Sequence, residues 1–591
     1  MKTADFFVER LKAWGVKRIF GYSGDGINGV IGALQRDGTI DFIQPRHEEM
    51  GAFMAVAHAK FTGELGVCLA TGGPGATHLI TGLYDAKADH MPVLAICGQA
   101  ETNVRGASYQ QELNLDRMFA DVAEYVQEVT HPAQLPHVVD RSIRLALARR
   151  GPAVIIIPKD VQEQPFESPE RLHGFTRSGP GYSRPIVVPA ESDLKKAATI
   201  LNSGSKVAIL IGAGALHAAD EVIDVADRLG AGIAKALLGK SVLPDDLPFV
   251  TGCIGLLGTR PSSDMMNSCD TLLMVGTGFP WSEFLPKNGA ARAVQIVIDP
   301  SMLSLRYPCE VNLQGDAAET LRLLLPMLKR KDRRWRSQIE RSIDDWWETL
   351  EARAMTSAHP VNPQRVVWEM SARLPENAIV TSDSGSCANW YARDYRAKRG
   401  QMASLSGGLA SMGAAVPYAI AAKFAHPDRP VIALVGDGAM QMNNMAELIT
   451  AAKYMARWPD KRLITCVFNN QDLNEVTWEQ RVMNGNPRFD ASQDIPDVRY
   501  SKFAEIIGLK GIFIDDPKDL ADGWDHALSA QQPTILEVKT DPEIAPLPPH
   551  ISLKEARQFM FSMVRDDDAG HVIRDTARQV INKVLHREDA D

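Results

Sequence analysis

Apolar residues in this chain gather in short continuous runs rather than in alternation with polar ones. Such runs stand at Val67-Cys68-Leu69-Ala70, Val154-Ile155-Ile156-Ile157, Val207-Ala208-Ile209-Leu210-Ile211 and Leu272-Leu273-Met274-Val275. They continue at Val294-Gln295-Ile296-Val297-Ile298, Val431-Ile432-Ala433-Leu434-Val435 and Leu463-Ile464-Thr465-Cys466-Val467. Each is followed by glycine or aspartate and then by a segment with helical spacing. Continuously apolar strands alternating with helices are what a parallel sheet covered on both faces requires. The pattern predicts an α/β fold of doubly wound parallel sheets.

At 591 residues the chain exceeds what one core supports, since single cores stop growing near ~250–300 residues. Two irregular stretches divide it: 162–189, rich in proline, glycine and charge, and a charged helical stretch over 329–355. The expected domains are 1–180, 188–330 and 360–545, with a tail at 546–591. In the tail Val572, Ile573, Ala577, Val580, Ile581, Val584 and Leu585 form one apolar stripe at helical spacing. That stripe fits a helix docked on its own protein or a peripheral contact with a membrane surface.

Composition narrows the class. An apolar fraction of 45%, 23% charged residues and a net charge of −9 are those of an ordinary globular protein, and nucleic acid is not an expected partner. No apolar run approaches the ~20 residues of a membrane span, and the first residues lack a basic region leading into an apolar one. The expected location is the cytoplasm. Seven scattered cysteines, several inside apolar runs, read as reduced core residues.

The local chemistry begins with Gly436-Asp437-Gly438 after one apolar run and Asn469-Asn470 at the end of the next. In an open parallel sheet ligands bind at the carboxyl ends of strands, where both segments deliver polar groups. A hard divalent ion bridging two phosphates takes oxygen ligands. The Asp437 carboxylate, the Asn470 amide oxygen and the main-chain carbonyl of Asp472 supply them, while the glycines admit phosphate oxygens to backbone N–H groups. Alone, Gly-Asp-Gly is also an ordinary turn.

With about thirty residues between its halves, this pair resembles the binding motif of thiamine-diphosphate (ThDP) enzymes, lengthened by a loop insertion at Arg457-Trp458-Pro459-Asp460-Lys461. Ser406-Gly407-Gly408-Leu409-Ala410-Ser411-Met412-Gly413 is similar to the segment that props the cofactor into a V shape. The resemblance implies that Met412 is the prop, that the Ala410 carbonyl accepts from the 4′-amino group, and that Ser411, Gly385 and Gly73 also line the cofactor.

Pro45-Arg46-His47-Glu48-Glu49 opens a helical pattern after the strand-like Ile40-Asp41-Phe42-Ile43. An acidic pair in a first helical turn ordinarily serves the helix dipole. The segment resembles the one carrying the acid that polarises the cofactor's pyrimidine, which makes Glu48 that acid and Glu49 its exposed neighbour. Thr71-Gly72-Gly73-Pro74-Gly75-Ala76-Thr77 matches the loop after the second strand in pyruvate oxidases and acetolactate synthases. The resemblance implies ThDP and Mg²⁺, and active sites shared between subunits of a homodimer or homotetramer.

It runs over most of the chain and is closest to pyruvate oxidase and pyruvate:quinone oxidoreductase. It places Gln111, in Tyr109-Gln110-Gln111-Glu112, against the substrate carboxylate, and Glu479 over the thiazolium, where residue type alone also fits a solvated helix position. Gly212 and Gly214, Gly255-Leu256 and Thr277-Gly278-Phe279 resemble FAD-contacting segments. Two positions depart from the pattern. Val297 stands where an acid would hold an adenosine ribose, leaving Asp299 as its substitute, and Asn474-Glu475 stands where glycine and a large apolar residue are usual. The expected reaction is decarboxylation of a 2-oxo acid, first of all pyruvate, with electrons leaving through FAD. The alternatives are an acetolactate-synthase-like carboligation or another carbon–carbon lyase without net redox and, third, an inactive scaffold, against which Glu48, Asp437 and Asn470 stand.

Overall fold

The computed structural model describes residues 1–167, 173, 176–546, 558 and 562; the apolar stripe of the tail lies outside them. Three six-stranded sheets, parallel throughout, follow one another along the chain. The first holds β1 (Arg18–Gly21), β2 (Asp41–Ile43), β3 (Gly66–Ala70), β4 (Val93–Gln99), β5 (Tyr125–Glu128) and β6 (Pro152–Pro158). The second holds β7 (Val207–Ile211), β8 (Gly232–Lys235), β9 (Val250–Cys253), β10 (Thr271–Val275), β11 (Arg292–Val297) and β12 (Val311–Gln314). The third holds β13 (Ile379–Ser382), β14 (Met402–Leu405), β15 (Val431–Gly436), β16 (Leu463–Asn469), β17 (Lys510–Ile514) and β18 (Thr534–Lys539).

Strand order distinguishes the domains. The first sheet runs β2-β1-β3-β4-β6-β5 and the third β14-β13-β15-β16-β18-β17, the same permutation. The middle sheet, β9-β8-β7-β10-β11-β12, has the order of a dinucleotide-binding fold, with its switch point between β7 and β10. The expected charged helix forms at Arg334–Ala354 and leads into the third domain.

The first and third domains share one core. Helix Glu48–Thr62 and helix Ala415–Ala425 are buried on nearly every side, as helices apolar all round must be. They pack on each other within a cluster that includes Phe53, Met54, Tyr418 and Ile420. Burial of each such large side chain contributes about 1.5–3 kcal/mol. Gly63, at φ 74°, ends the first helix. Gly66 must lack a side chain, because a Cβ there would stand 2.0 Å from the Ala55 carbonyl oxygen. This lets the helix lie flush on β3.

The insertion at 457–461 lies in the loop before β16, with Trp458 buried against Phe424 and Arg457 paired with Asp41 of the first domain at 2.8 Å. One expectation changes. Glu49 is not an exposed neighbour; its side chain is 17% exposed and accepts from Asn443 Nδ2 at 3.5 Å. All seven cysteines carry free thiols, six of them buried. No described helix is long and apolar enough to cross a membrane.

Candidate active site

The third sheet presents its polar edge where β13, β15 and β16 end. Gly436 closes β15, and Asp437 follows, 2% exposed. One Asp437 carboxylate oxygen accepts from Gly438 N–H at 2.8 Å and the other from Gln471 N–H at 2.5 Å. Burial nevertheless lifts the carboxyl to about 7. Among the described residues no cationic side chain pairs with it. A buried carboxylate served only by backbone dipoles fits a divalent cation.

Asn470 and Asp472 lie on the adjoining loop. Asn470 Oδ1 accepts from Asp472 N–H at 3.0 Å, which curls the loop. The Asp472 carboxylate is taken up by Thr477 (2.8 Å), Arg488 (2.9 Å) and Asn474 (3.2 Å), which leaves the residue's main-chain carbonyl as the group it could offer a cation. Gln471 between them has φ 58°.

A fit for the cofactor's diphosphate is visible in the glycines. A Cβ added to Gly385, the N-cap of helix Ser386–Arg393, or to Gly436 would meet nothing within 4 Å. The space beside these two backbones is open to an oxyanion, whereas Gly438 faces Leu473 and the Met412 terminus. Met412 thus sits directly beside the Gly-Asp-Gly turn. Ala410 has φ 57°, a conformation costing a non-glycine residue of order 1–2 kcal/mol, and Ser411 Oγ donates to the Met412 carbonyl at 2.9 Å.

Two supports of this turn had no signal in the sequence. Asp383, beyond β13, accepts from Ala414 N–H (2.8 Å), Ala415 N–H (3.3 Å) and Asn444 Nδ2 (2.6 Å), tying the start of helix Ala415–Ala425 to the π-helical turn Met440–Asn444. From the first domain, Asp89 accepts from Gly407 and Gly408 N–H at 3.1 and 2.6 Å, and Asp85 from Ser406 Oγ at 2.7 Å. Lys60 joins Asp89 (2.5 Å) to the Leu405 carbonyl (2.6 Å).

At the edge of the first sheet, Glu48 opens helix Glu48–Thr62 beside Gly75 and stands 2.9 Å from His78 Nδ1. The His47 and His78 rings lie 4.3 Å apart. Gly73, at φ 58°, leaves room for Gln111, whose Cβ would be 2.7 Å from an added methyl; Gln111 itself has φ 63°. The structure therefore joins Glu48, Gly73 and Gln111 through the single segment 71–78, whose second half is the short helix Pro74–His78. Glu479 ends helix Asn474–Glu479 in an exposed position, and partial burial raises its carboxyl.

The middle domain answers less fully. Gly212 and Gly214 lie against Thr277 and Gly276, Gly255 against Phe279, and Gly278 under Met302, so the protein's own atoms fill these glycine spaces. Leu256 gives its carbonyl to Arg393 at 3.4 Å. Val297 is 9% exposed, and the Asp299 carboxylate caps Ser301, accepting from its N–H at 2.9 Å. The strand order fits a dinucleotide, while one oxygen of Asp299, the acid left to meet an adenosine ribose, is taken by its own loop.

Comparison with known proteins finds a family match in each of the three sheets. Residues 1–118 match the thiamine pyrophosphate enzyme N-terminal TPP binding domain, 194–324 the central domain and 383–538 the C-terminal TPP binding domain. The chain is 36% identical over 566 residues to the putative thiamine pyrophosphate-containing protein YdaP of Bacillus subtilis, covering 94% of this chain and 95% of that one. It is 31% identical to a probable acetolactate synthase large subunit of Methanocaldococcus jannaschii, with 93% and 94% covered. With pyruvate oxidase of Lactiplantibacillus plantarum the identity is 30%, covering 90% and 87%. With these matches spanning all three sheets, the chain belongs to the thiamine-diphosphate-dependent enzymes of the pyruvate oxidase and acetolactate synthase type.

Proposed function

We propose that this enzyme decarboxylates a 2-oxo acid using ThDP and Mg²⁺, with Glu48 as the acid at the cofactor's pyrimidine. The observation that carries the proposal is the third-sheet edge, where open space beside Gly385 and Gly436 adjoins a buried Asp437 without a cationic partner. Asp437, Asn470 and the Asp472 carbonyl would hold the cation, and Met412, Ala410 and Ser411 the organic part. Bound there, ThDP would supply a nucleophilic carbon and an electron sink for decarboxylation. Glu48 exchanges a proton with the pyrimidine ring, His78 steadies that carboxyl, Gln111 binds the substrate carboxylate and Glu479 handles protons at the reacting carbon.

In the first reading of the next step the electrons leave through FAD in the middle domain, which the order β9-β8-β7-β10-β11-β12 supports. A second reading, ligation to another carbonyl compound without net redox, is favoured by Val297 and the engaged Asp299. We propose pyruvate as the reference substrate and paired copies sharing each site. The test is an absorption spectrum of the purified protein with product analysis. A yellow protein that bleaches on pyruvate with ThDP and Mg²⁺ supports the flavin reading; a colourless one that forms an acyloin supports ligation. Absence of carbon dioxide release from any 2-oxo acid overturns the proposal.

A further inference from the structure

We propose that His47, Glu48 and His78 form a second metal site, one that takes a transition ion of the Zn²⁺ type and, by engaging Glu48, competes with ThDP for the chain. The metal site stands on its own observations; the competition rests on the role proposed above for Glu48.

All three residues belong to the first domain and meet at the edge of its sheet. His47 is the N-cap of helix Glu48–Thr62, Glu48 is its first residue, and His78 is the last residue of the short helix Pro74–His78. Glu48 Oε2 stands 2.9 Å from His78 Nδ1, and the two imidazole rings lie 4.3 Å apart. One ligand atom from each residue lies within 4.8 Å of the others, and among the described residues no other trio of histidine, cysteine and carboxylate side chains converges in this way. Three donors bound to one ion at about 2.0–2.2 Å stand roughly 3–3.5 Å apart, so an ion closes the group by no more than about 2 Å. The His47 and His78 side chains are 41% and 42% exposed, which gives the imidazoles room for that movement and an ion access to them, while Glu48, 12% exposed, anchors the group.

The donor set decides which ion. Two imidazole nitrogens and one carboxylate oxygen suit Zn²⁺ and its neighbours in the first transition row, leaving a coordination position for water. Mg²⁺ takes oxygen ligands and keeps its waters, so it favours the oxygen donors around Asp437 instead. Glu49 brings a second carboxylate to the ring of His47, Oε2 to Nδ1 3.9 Å, and its charge favours a cation there. The Glu48 carboxyl cannot serve an ion and the cofactor's pyrimidine ring together. Occupation of one site therefore excludes the other.

The test titrates Zn²⁺ by calorimetry into the untagged, cofactor-free protein in excess Mg²⁺. One ion should bind per chain, with a Kd on the order of 10 μM or tighter. His78→Ala and His47→Ala should each weaken binding at least about tenfold, and Asp437→Asn should leave it unchanged. Co²⁺ in place of Zn²⁺ should give visible absorption bands that His78→Ala removes. In carbon dioxide release, Zn²⁺ should raise the KM for ThDP in wild type and leave it unmoved in His78→Ala, which separates displacement at Glu48 from capture of Zn²⁺ by the ThDP diphosphate. Absence of Zn²⁺ binding, or binding unmoved in both folded histidine variants, overturns the site. Zn²⁺ binding that ThDP does not relieve overturns the competition. A protein that binds Zn²⁺ as described and releases no carbon dioxide from any 2-oxo acid keeps the site and removes the proposed reaction.

Discussion

Glu48 Oε2 lies 2.9 Å from Nδ1 of His78, a residue thirty positions along the chain that the segment 71–78 carries back to the start of the Glu48 helix. The contact holds the carboxyl at one edge of the sheet and leaves its other oxygen beside Gly75. Replacing Glu48 by Gln should lower kcat by about 10²–10⁴, the range for loss of a general acid–base group, with ThDP binding by fluorescence quenching retained. His78→Ala should lower kcat by roughly tenfold or less, because it positions the acid and does not replace it. An unchanged rate in Glu48→Gln would refute its role.

The proposed sharing of each site between copies has a direct consequence. Glu48→Gln and Asp437→Asn should each be inactive alone. Mixed by co-expression, they should recover about a quarter of the wild-type activity per site, because a two-fold pair regenerates one intact site in each mixed dimer. Sites built within one chain would recover nothing.

The Lys60–Asp89 pair fastens the turn that leads to Met412, with side chains only 5% and 0% exposed. Removing one member strands the other in a dry environment. Asp89→Ala should therefore destabilise the protein by about 3–5 kcal/mol in urea unfolding and weaken ThDP binding, since Gly407 and Gly408 lose their acceptor. Lys60→Met with Asp89→Leu should recover much of the stability and not the cofactor affinity.

The Glu475 carboxyl holds its proton to about pH 7, above the ordinary value of 4.5. An acid whose folded pKa is raised opposes folding once the unfolded chain has ionised, so its influence is least below the ordinary value. Stability should fall as pH rises from there through about 7, with no further loss above. In thermal unfolding across pH 4.5–8, Glu475→Gln should show a flatter decline than wild type. An identical slope in the two proteins would exclude this carboxyl as its source.

The apolar runs were sufficient to announce parallel sheets, because a strand buried on both faces leaves no room for polar alternation. The run Val431–Val435 and the candidate pair Asp437 and Asn470 were legible for the same reason: strand, turn and polar side chains are neighbours in the chain. Asp383, Asp89, Lys60 and His78 gave no comparable signal. Each acts through a partner brought near by another strand or domain, and a lone charged residue in the chain looks like any solvated one. Glu49 was misplaced for that reason, since the packing of the first domain on the third buries surfaces that local pattern leaves open.

By itself the sequence determined the fold class, the order of the three sheets along the chain and the polar residue types at the carboxyl edge of the third sheet, all of which depend on local spacing. Only the tertiary structure decided which charges hold that edge, that Asp299 is engaged by its own loop, and that Glu475 is met by Asn389 from a helix 86 positions away. Hydrogen bonds and desolvation depend on which groups meet in space, and that is set when the domains pack.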